Sequence, residues 1–235
     1  MSRYYSWLVM VFAMFFLVNI GYAQSVAVKF TGGASVSRAQ TNLLLANQHI
    51  QPGYGYLVEG GLSVPLRRTL SLAADLRYRV AQYAIVNSTQ PVIQTNYRDG
   101  FLELPVFLHY KVFTFLRMDF SVQAGVYGSY WLHSRSTGLY ANLFDSSWNP
   151  DNETEVIGLE RRIANISLAD GYRRLGFGIA GGVGIKRGIS KKIQVGLQGV
   201  VQGDLTNRLD NDQFNTRYQH IALNGSIWYT ISHLK

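Results

Sequence analysis

Three stretches of this sequence carry residue types that do chemistry in other proteins. Gly176-Phe-Gly178-Ile-Ala-Gly181 has the GxGxxG spacing of a dinucleotide-binding turn. That turn needs a strand before it and a helix after it. Here strand-like alternation continues past the motif, so its glycines are expected to allow close packing inside a strand. His133-Ser134 places a base beside a nucleophile at a strand end, but adjacency does not supply the third group that orients a catalytic pair. Asp145, Asp151, Glu153, Glu155 and Glu160 gather acids in one segment without the spacing of a calcium-binding loop. No catalytic residue, metal ligand or cofactor is therefore expected. With no Cys in the chain, thiol catalysis, Cys-ligated metal and disulfides are excluded.

A different pattern recurs along the chain. Isolated charges, amides and imidazoles stand between apolar neighbours: Lys29, Glu59, Asp75, Arg77, Arg79, Glu103, His109, Lys111, Asp119, Gln198, Gln202 and His220. They belong to eight segments of period-2 alternation, 25–36, 54–64, 69–85, 98–112, 116–132, 174–186, 191–205 and 217–231. Such alternation is the pattern of a strand with two different faces. In the fourth segment, Leu102, Leu104, Val106, Leu108 and Tyr110 oppose Glu103, His109 and Lys111. In the seventh, Ile193, Val195, Leu197 and Val201 oppose Gln194, Gln198 and Gln202.

Composition narrows the class that such strands build. Hydrophobic residues make up 47% and charged residues only 15% of 235 residues. A soluble domain carries about 25% charged residues. The net charge of +8 is spread along the chain rather than clustered, so nucleic acid is not an expected partner. Residues 1–23 combine Arg3, an apolar run from Trp7 to Val18, and Gly21-Tyr22-Ala23 before Gln24. This is the layout of a cleaved secretory signal, leaving 24–235 as the mature domain.

The connections between segments alternate in length. Residues 65–68, 113–115 and 188–190 form short links, while 37–53, 86–97, 133–173 and 206–216 form long ones. Short turns on one side and long loops on the other mark an outer-membrane barrel. The apolar rows end in Tyr54, Tyr56, Tyr110, Tyr130 and Tyr229, as girdles at a lipid boundary would. A lipocalin-like barrel also has eight strands, but its apolar face points inward. The expected fold is therefore all-β: an eight-stranded antiparallel up-and-down transmembrane β-barrel, with lipid outside and both termini in the periplasm. Eight strands leave a lumen that side chains fill, so the polar rows are expected to pair there. The register from each turn sets Arg77 opposite Glu103, His109 opposite Asp119, Gln202 near His220 and Gln198 near Asn224. Glu59 and Asp75 come out as neighbours and need Arg77, Arg79 or Lys29 between them. Arg67, Arg68, Lys191 and Lys192 cluster in two short turns, where they could meet anionic headgroups or a periplasmic partner.

Phe101–Lys111, Ser71–Tyr78, Gln123–Tyr130 and Gly176–Gly184 together resemble strands of PorT-like outer-membrane β-barrel proteins of the Bacteroidetes. Phe101-Leu-Glu-Leu-Pro-Val-Phe-Leu-His-Tyr-Lys111 resembles a "YLEIPLLLKY" strand of that family, and Ser71–Tyr78 the strand before it. Gln123–Tyr130 is similar to its "GPYxGYLL" strand, with Val126 where proline is usual, and Gly176–Gly184 to its glycine-rich strand. The resemblance implies an outer-membrane barrel without catalytic residues, in a family whose PorT member is implicated in type IX secretion. The expected function is a non-enzymatic structural or accessory role, with outer-membrane lipid and other outer-membrane or periplasmic proteins as partners. A narrow solute channel and an outer-membrane hydrolase or acyltransferase are the alternatives.

Overall fold

The computed structural model describes residues 25–41, 48–87, 94–149, 154–166, 172–208 and 216–232. The expected leader over 1–23 lies outside them. Among these residues there are nine strands: β1 (Ser25–Thr41), β2 (Gln48–Pro65), β3 (Leu70–Asn87), β4 (Gln94–Phe115), β5 (Met118–Asn149), β6 (Thr154–Ile166), β7 (Leu175–Gly188), β8 (Ile193–Asp204) and β9 (Thr216–Ser232). Eight of them close a ring in the order β1-β2-β3-β4-β5-β7-β8-β9, every pairing antiparallel. The closing seam runs from Ser25↔Ser232 to Thr41↔Thr216.

The ninth strand corrects the expectation of a loop over 133–173. Beyond the ring, β5 continues and pairs with β6 from Ser134↔Ile166 to Asn149↔Thr154. The described part of that segment is thus an antiparallel strand pair, the β5–β6 hairpin, rising from the long-loop end. The acids expected there, Asp145 through Glu160, have side chains outside the described residues. The other strands also run further into the long connections than the alternation suggested, with β1 reaching Thr41 and β4 starting at Gln94.

The short turns are built by backbone and hydroxyl hydrogen bonds. In the β2–β3 turn, the N–H groups of Leu66 and Arg67 donate to the Leu70 carbonyl at 2.9 and 3.0 Å. In the β7–β8 turn, Ser190 Oγ accepts from the N–H groups of Lys192 and Ile193. The β4–β5 turn is two residues, Leu116 and Arg117, with φ of 50° and 61°. Two positive φ values make the primed turn that suits strand twist, although Asn-Gly is its usual sequence. A bulge at Val112 precedes the turn on β4, between Lys111↔Ser121 and Phe113↔Phe120.

The faces divide as the alternation requires. Phe30, Val58, Leu76, Leu104, Ile179, Leu197 and Leu223 are exposed on the outside. On β4 the outward row from Leu102 to Tyr110 spans about 27 Å of strand at ~3.4 Å per residue. Tilted by about 40°, that rises about 21 Å, most of the roughly 25 Å apolar band of an outer-membrane barrel. Tyr110, Phe113, Phe115 and Tyr229 ring its short-turn end, and Tyr54, Tyr56 and Tyr130 its long-loop end, all exposed. Val64 and Val80, which continue apolar rows in the sequence, are buried instead.

The face assignment has a measurable consequence. Leu197→Arg should lower unfolding stability in lipid by about 2–4 kcal/mol, the cost of a cation near the bilayer midplane. Gln198→Leu, one residue on and turned inward, should cost clearly less. Urea unfolding of both variants reports the order, and the reverse order would place the wrong face against lipid.

Candidate functional site

The site is the lumen, and β2, β3 and β4 supply its centre. Glu59 lies opposite Arg77, and Arg77 opposite Glu103, in successive ladders. Three alternating charges on three neighbouring strands therefore point inward at one level. Arg77 Nε donates to Glu59 Oε2 at 2.7 Å, and its Nη1 reaches Glu103 at 3.4 Å and Gln202 Oε1 at 2.9 Å. Arg79 donates to the other oxygen of Glu103, from Nε at 2.9 Å and Nη2 at 2.6 Å. Arg79 Nη1 also lies 3.0 Å from His220 Nδ1. A guanidinium only donates, so this nitrogen accepts and the His220 proton sits on Nε2. Ser37 Oγ approaches the same Nδ1 at 2.8 Å.

Lys29 extends the chain toward the short turns. Its Nζ lies 2.7 Å from Glu59 and 2.5 Å from Asp75, and so sits between the two acids that would otherwise repel. Gly61 makes this possible, because it stands between Lys29 and Asp75 in the ladder. A Cβ there would strike the Asp75 carboxylate. Toward the long loops, Arg208 donates to Asp204 at 2.8 Å and to Ser129 Oγ at 2.5 Å, and Tyr127 OH donates to Asp204 at 2.7 Å. The glycines of the GxGxxG stretch serve these groups: side chains on Gly176 and Gly178 would collide with Arg208 and Tyr127.

The result is balanced. Among the ion-paired groups, Lys29, Arg77, Arg79 and Arg208 face Glu59, Asp75, Glu103 and Asp204, four cations to four carboxylates, while Asp99 is held by a hydroxyl instead. Arg77, Arg79 and Glu103 are at most 1% exposed. At the long-loop end an aromatic cluster of Phe101, Trp131 and Tyr218 with Ala39 and Ala81 fills the lumen. Tyr218 OH donates to Asp99 at 2.7 Å. The guanidinium of Arg79 lies 4.6 Å, and that of Arg208 5.4 Å, from the Phe101 ring centre, joining the ionic layer to the aromatic one.

Gln202 pairs with His220, and Gln198 with Asn224. His109 does not face Asp119: its partners are Ser71 and Gln123, while Asp119 pairs with Thr114 and Lys186. The hairpin turns at Leu116–Arg117 rather than over 113–115, and the bulge shifts the register again. Lys111 and Asp119 lie 3.7 Å apart with side chains 40% and 38% exposed, at the mouth rather than in the central chain. Arg208, Asp204, Tyr127, Asp99 and Tyr218 are members that the sequence reading left out. Asp204 and Tyr218 continue inward rows and were open to inference. Arg208 lies past the end of β8, where alternation stops.

A closed ring with an apolar exterior band and a charge-filled interior defines a transmembrane β-barrel. The chain belongs to the family of outer membrane protein beta-barrel domains, whose pattern matches residues 22–224, and is thus a protein of the bacterial outer membrane. No curated protein sequence matches it. Among solved structures it is similar to the outer membrane protease OmpT from Escherichia coli, with 9% identity, TM-score 0.48, and coverage of 89% of this chain and 97% of that one. The outer membrane protein OprG from Pseudomonas aeruginosa shows 9% identity, TM-score 0.47, and coverage of 90% and 98%. Neisserial surface protein A shows 9% identity, TM-score 0.41, and coverage of 86% and 97%.

The short contacts rank the pairs. Glu103→Gln should leave Arg79 short of its carboxylate and cost about 3–5 kcal/mol. In double-mutant cycles by urea unfolding, Arg79–Glu103 should couple more strongly than Arg77–Glu103, in keeping with 2.6 against 3.4 Å. Equal or inverted couplings would contradict this geometry.

Proposed function

We propose that the protein is a non-enzymatic outer-membrane barrel with a sealed lumen, serving as an anchor or accessory to other envelope proteins. The charge-balanced chain across the lumen carries this reading. A solute path would have to pass Arg77, Arg79 and Glu103, which are buried in contact with one another. Separating them would expose charges whose partners are already committed. A hydrolase finds less support at the rim: His133 is exposed and meets Tyr78 OH at 3.2 Å, whereas Ser134 is buried, so the two do not form a pair.

An even ring brings Ser25 and Ser232 together on the short-turn side, which supports a periplasmic location for both termini, since short turns face the periplasm in this class. A cleaved leader over 1–23 suits that route, and the family match beginning at residue 22 is compatible with it. The PorT-like stretches, Phe101–Lys111 above all, favour protein secretion as the setting. The lipid partner is met by the exterior apolar rows, and the hairpin of β5 and β6 offers a surface to other proteins.

Planar-bilayer recording tests the sealed lumen. The purified protein should give no stepwise conductance, and stable unitary steps would favour a channel. Co-purification from native outer membrane should return envelope proteins at fixed stoichiometry; a protein that always emerges alone would remove the accessory role.

A further inference from the structure

The lumen is not balanced along its whole length. At the short-turn end a cavity of ≈ 230 Å³ is lined by Arg67, Arg68, Lys111, Lys186, His109 and Asp119, among others. Four cations there face one carboxylate, and that carboxylate is engaged: Thr114 Oγ1 donates to Asp119 at 2.5 Å, with Lys111 at 3.7 Å. Lys186 is held by a ring face instead of an acid, its Nζ 3.5 Å from the centre of Trp228. His109 supplies an independent sign. It is 3% exposed, and neither ring nitrogen has a hydrogen-bond partner among the described residues. Its ring neighbours are the edges or faces of Phe107 and Trp228, each 6.0 Å away. Burying an imidazole without a partner is costly, and a ligand that bonds it inside the cavity would offset that cost.

We propose that this cavity binds a phosphate-bearing anion, either free or carried on a lipid headgroup. The donors come from three directions: the β2–β3 turn (Arg67, Arg68), β4 (His109, Lys111) and β7 (Lys186). A tetrahedral anion with acceptors on every side fits such a set, whereas a planar carboxylate is satisfied by a single guanidinium fork. The volume equals about eight waters at ~30 Å³ each, enough for a phosphate and a few attached atoms. Entry is open, because Arg67 and Arg68 are exposed in the turn.

The test uses the full barrel in zwitterionic micelles, at ionic strength held constant with chloride. Inorganic phosphate is titrated while the ring resonances of His109 are followed by NMR. A parallel arm uses nanodiscs of phosphatidylcholine with and without phosphatidylglycerol. Lys186→Gln should weaken the response about ten-fold, as loss of a charge-assisted contact would. Arg68→Gln, confined to an exposed turn, should weaken it a few-fold without touching the fold. A saturable His109 response to phosphate in micelles, reduced in both variants, identifies a free-anion site. A response seen only with phosphatidylglycerol, and reduced in the same variants, identifies a headgroup site. No response in either arm, or one unchanged in the Arg68→Gln barrel, overturns the proposal.

Discussion

A charge inside an eight-stranded barrel has no bulk water to fall back on, so a protein partner must take the place of water, and an opposite charge within reach does so best. That constraint organises this lumen. Asp75, Lys29, Glu59, Arg77, Glu103 and Arg79 form an unbroken alternation of acid and base, each link shorter than 3.5 Å. The alternation is written into the register, since Arg77 stands between Glu59 and Glu103 in successive ladders. Every interior member touches two partners of opposite sign. Removing any one leaves two groups undercompensated, which makes the chain a cooperative fastening of β1, β2, β3 and β4 rather than a set of separate pairs.

The space for this chain comes from residues with no side chain to spare. Gly61 opens the gap through which Lys29 reaches Asp75, and Gly176 leaves the volume taken by the Arg208 guanidinium. Large inward groups are thus set against absent ones on the neighbouring strand. The exterior obeys a simpler rule, because lipid demands only an apolar surface and a closed backbone ladder. This asymmetry explains why the outside is a repetitive array of Leu, Val, Ile and aromatics, while the inside is specific at each position.

Much of this was legible in the sequence, for a physical reason. A period of two fixes which face each residue takes, so the buried set around Arg77, Arg79, Glu103 and His220 could be read from alternation. The opposition of Arg77 to Glu103 and of Gln202 to His220 also followed from segment spacing. Where the register depended on a turn whose sequence gives no signal, it failed. Leu116-Arg117 in a primed turn lacks the Asn or Gly that normally announces one, and the bulge at Val112 is equally silent. His109 was therefore assigned to Asp119 when it faces Gln123. The β5–β6 hairpin was missed because it pairs outside the membrane band, where no lipid enforces an apolar row. Arg208 was missed because it reaches the lumen from a segment past the strand end.

Trp228 stands between two electrostatic regimes. Its ring has Lys29 at 5.4 Å, the first cation of the balanced chain, and Lys186 at 3.5 Å, the inner edge of the cationic mouth. Its indole N–H is spent on Ser226 Oγ at 3.0 Å, so only the π-system faces the cations. A ring face attracts an ammonium far less than a carboxylate does. Lys29 is fixed by its two acids and does not depend on the ring. Lys186 has no ion pair among the described residues to fix it. The chain that closes the barrel is complete without Lys186, Arg67 or Arg68, so structure alone does not call for a cationic surplus at that mouth. A surplus that the fold does not use is a surplus available to whatever approaches from the short-turn side.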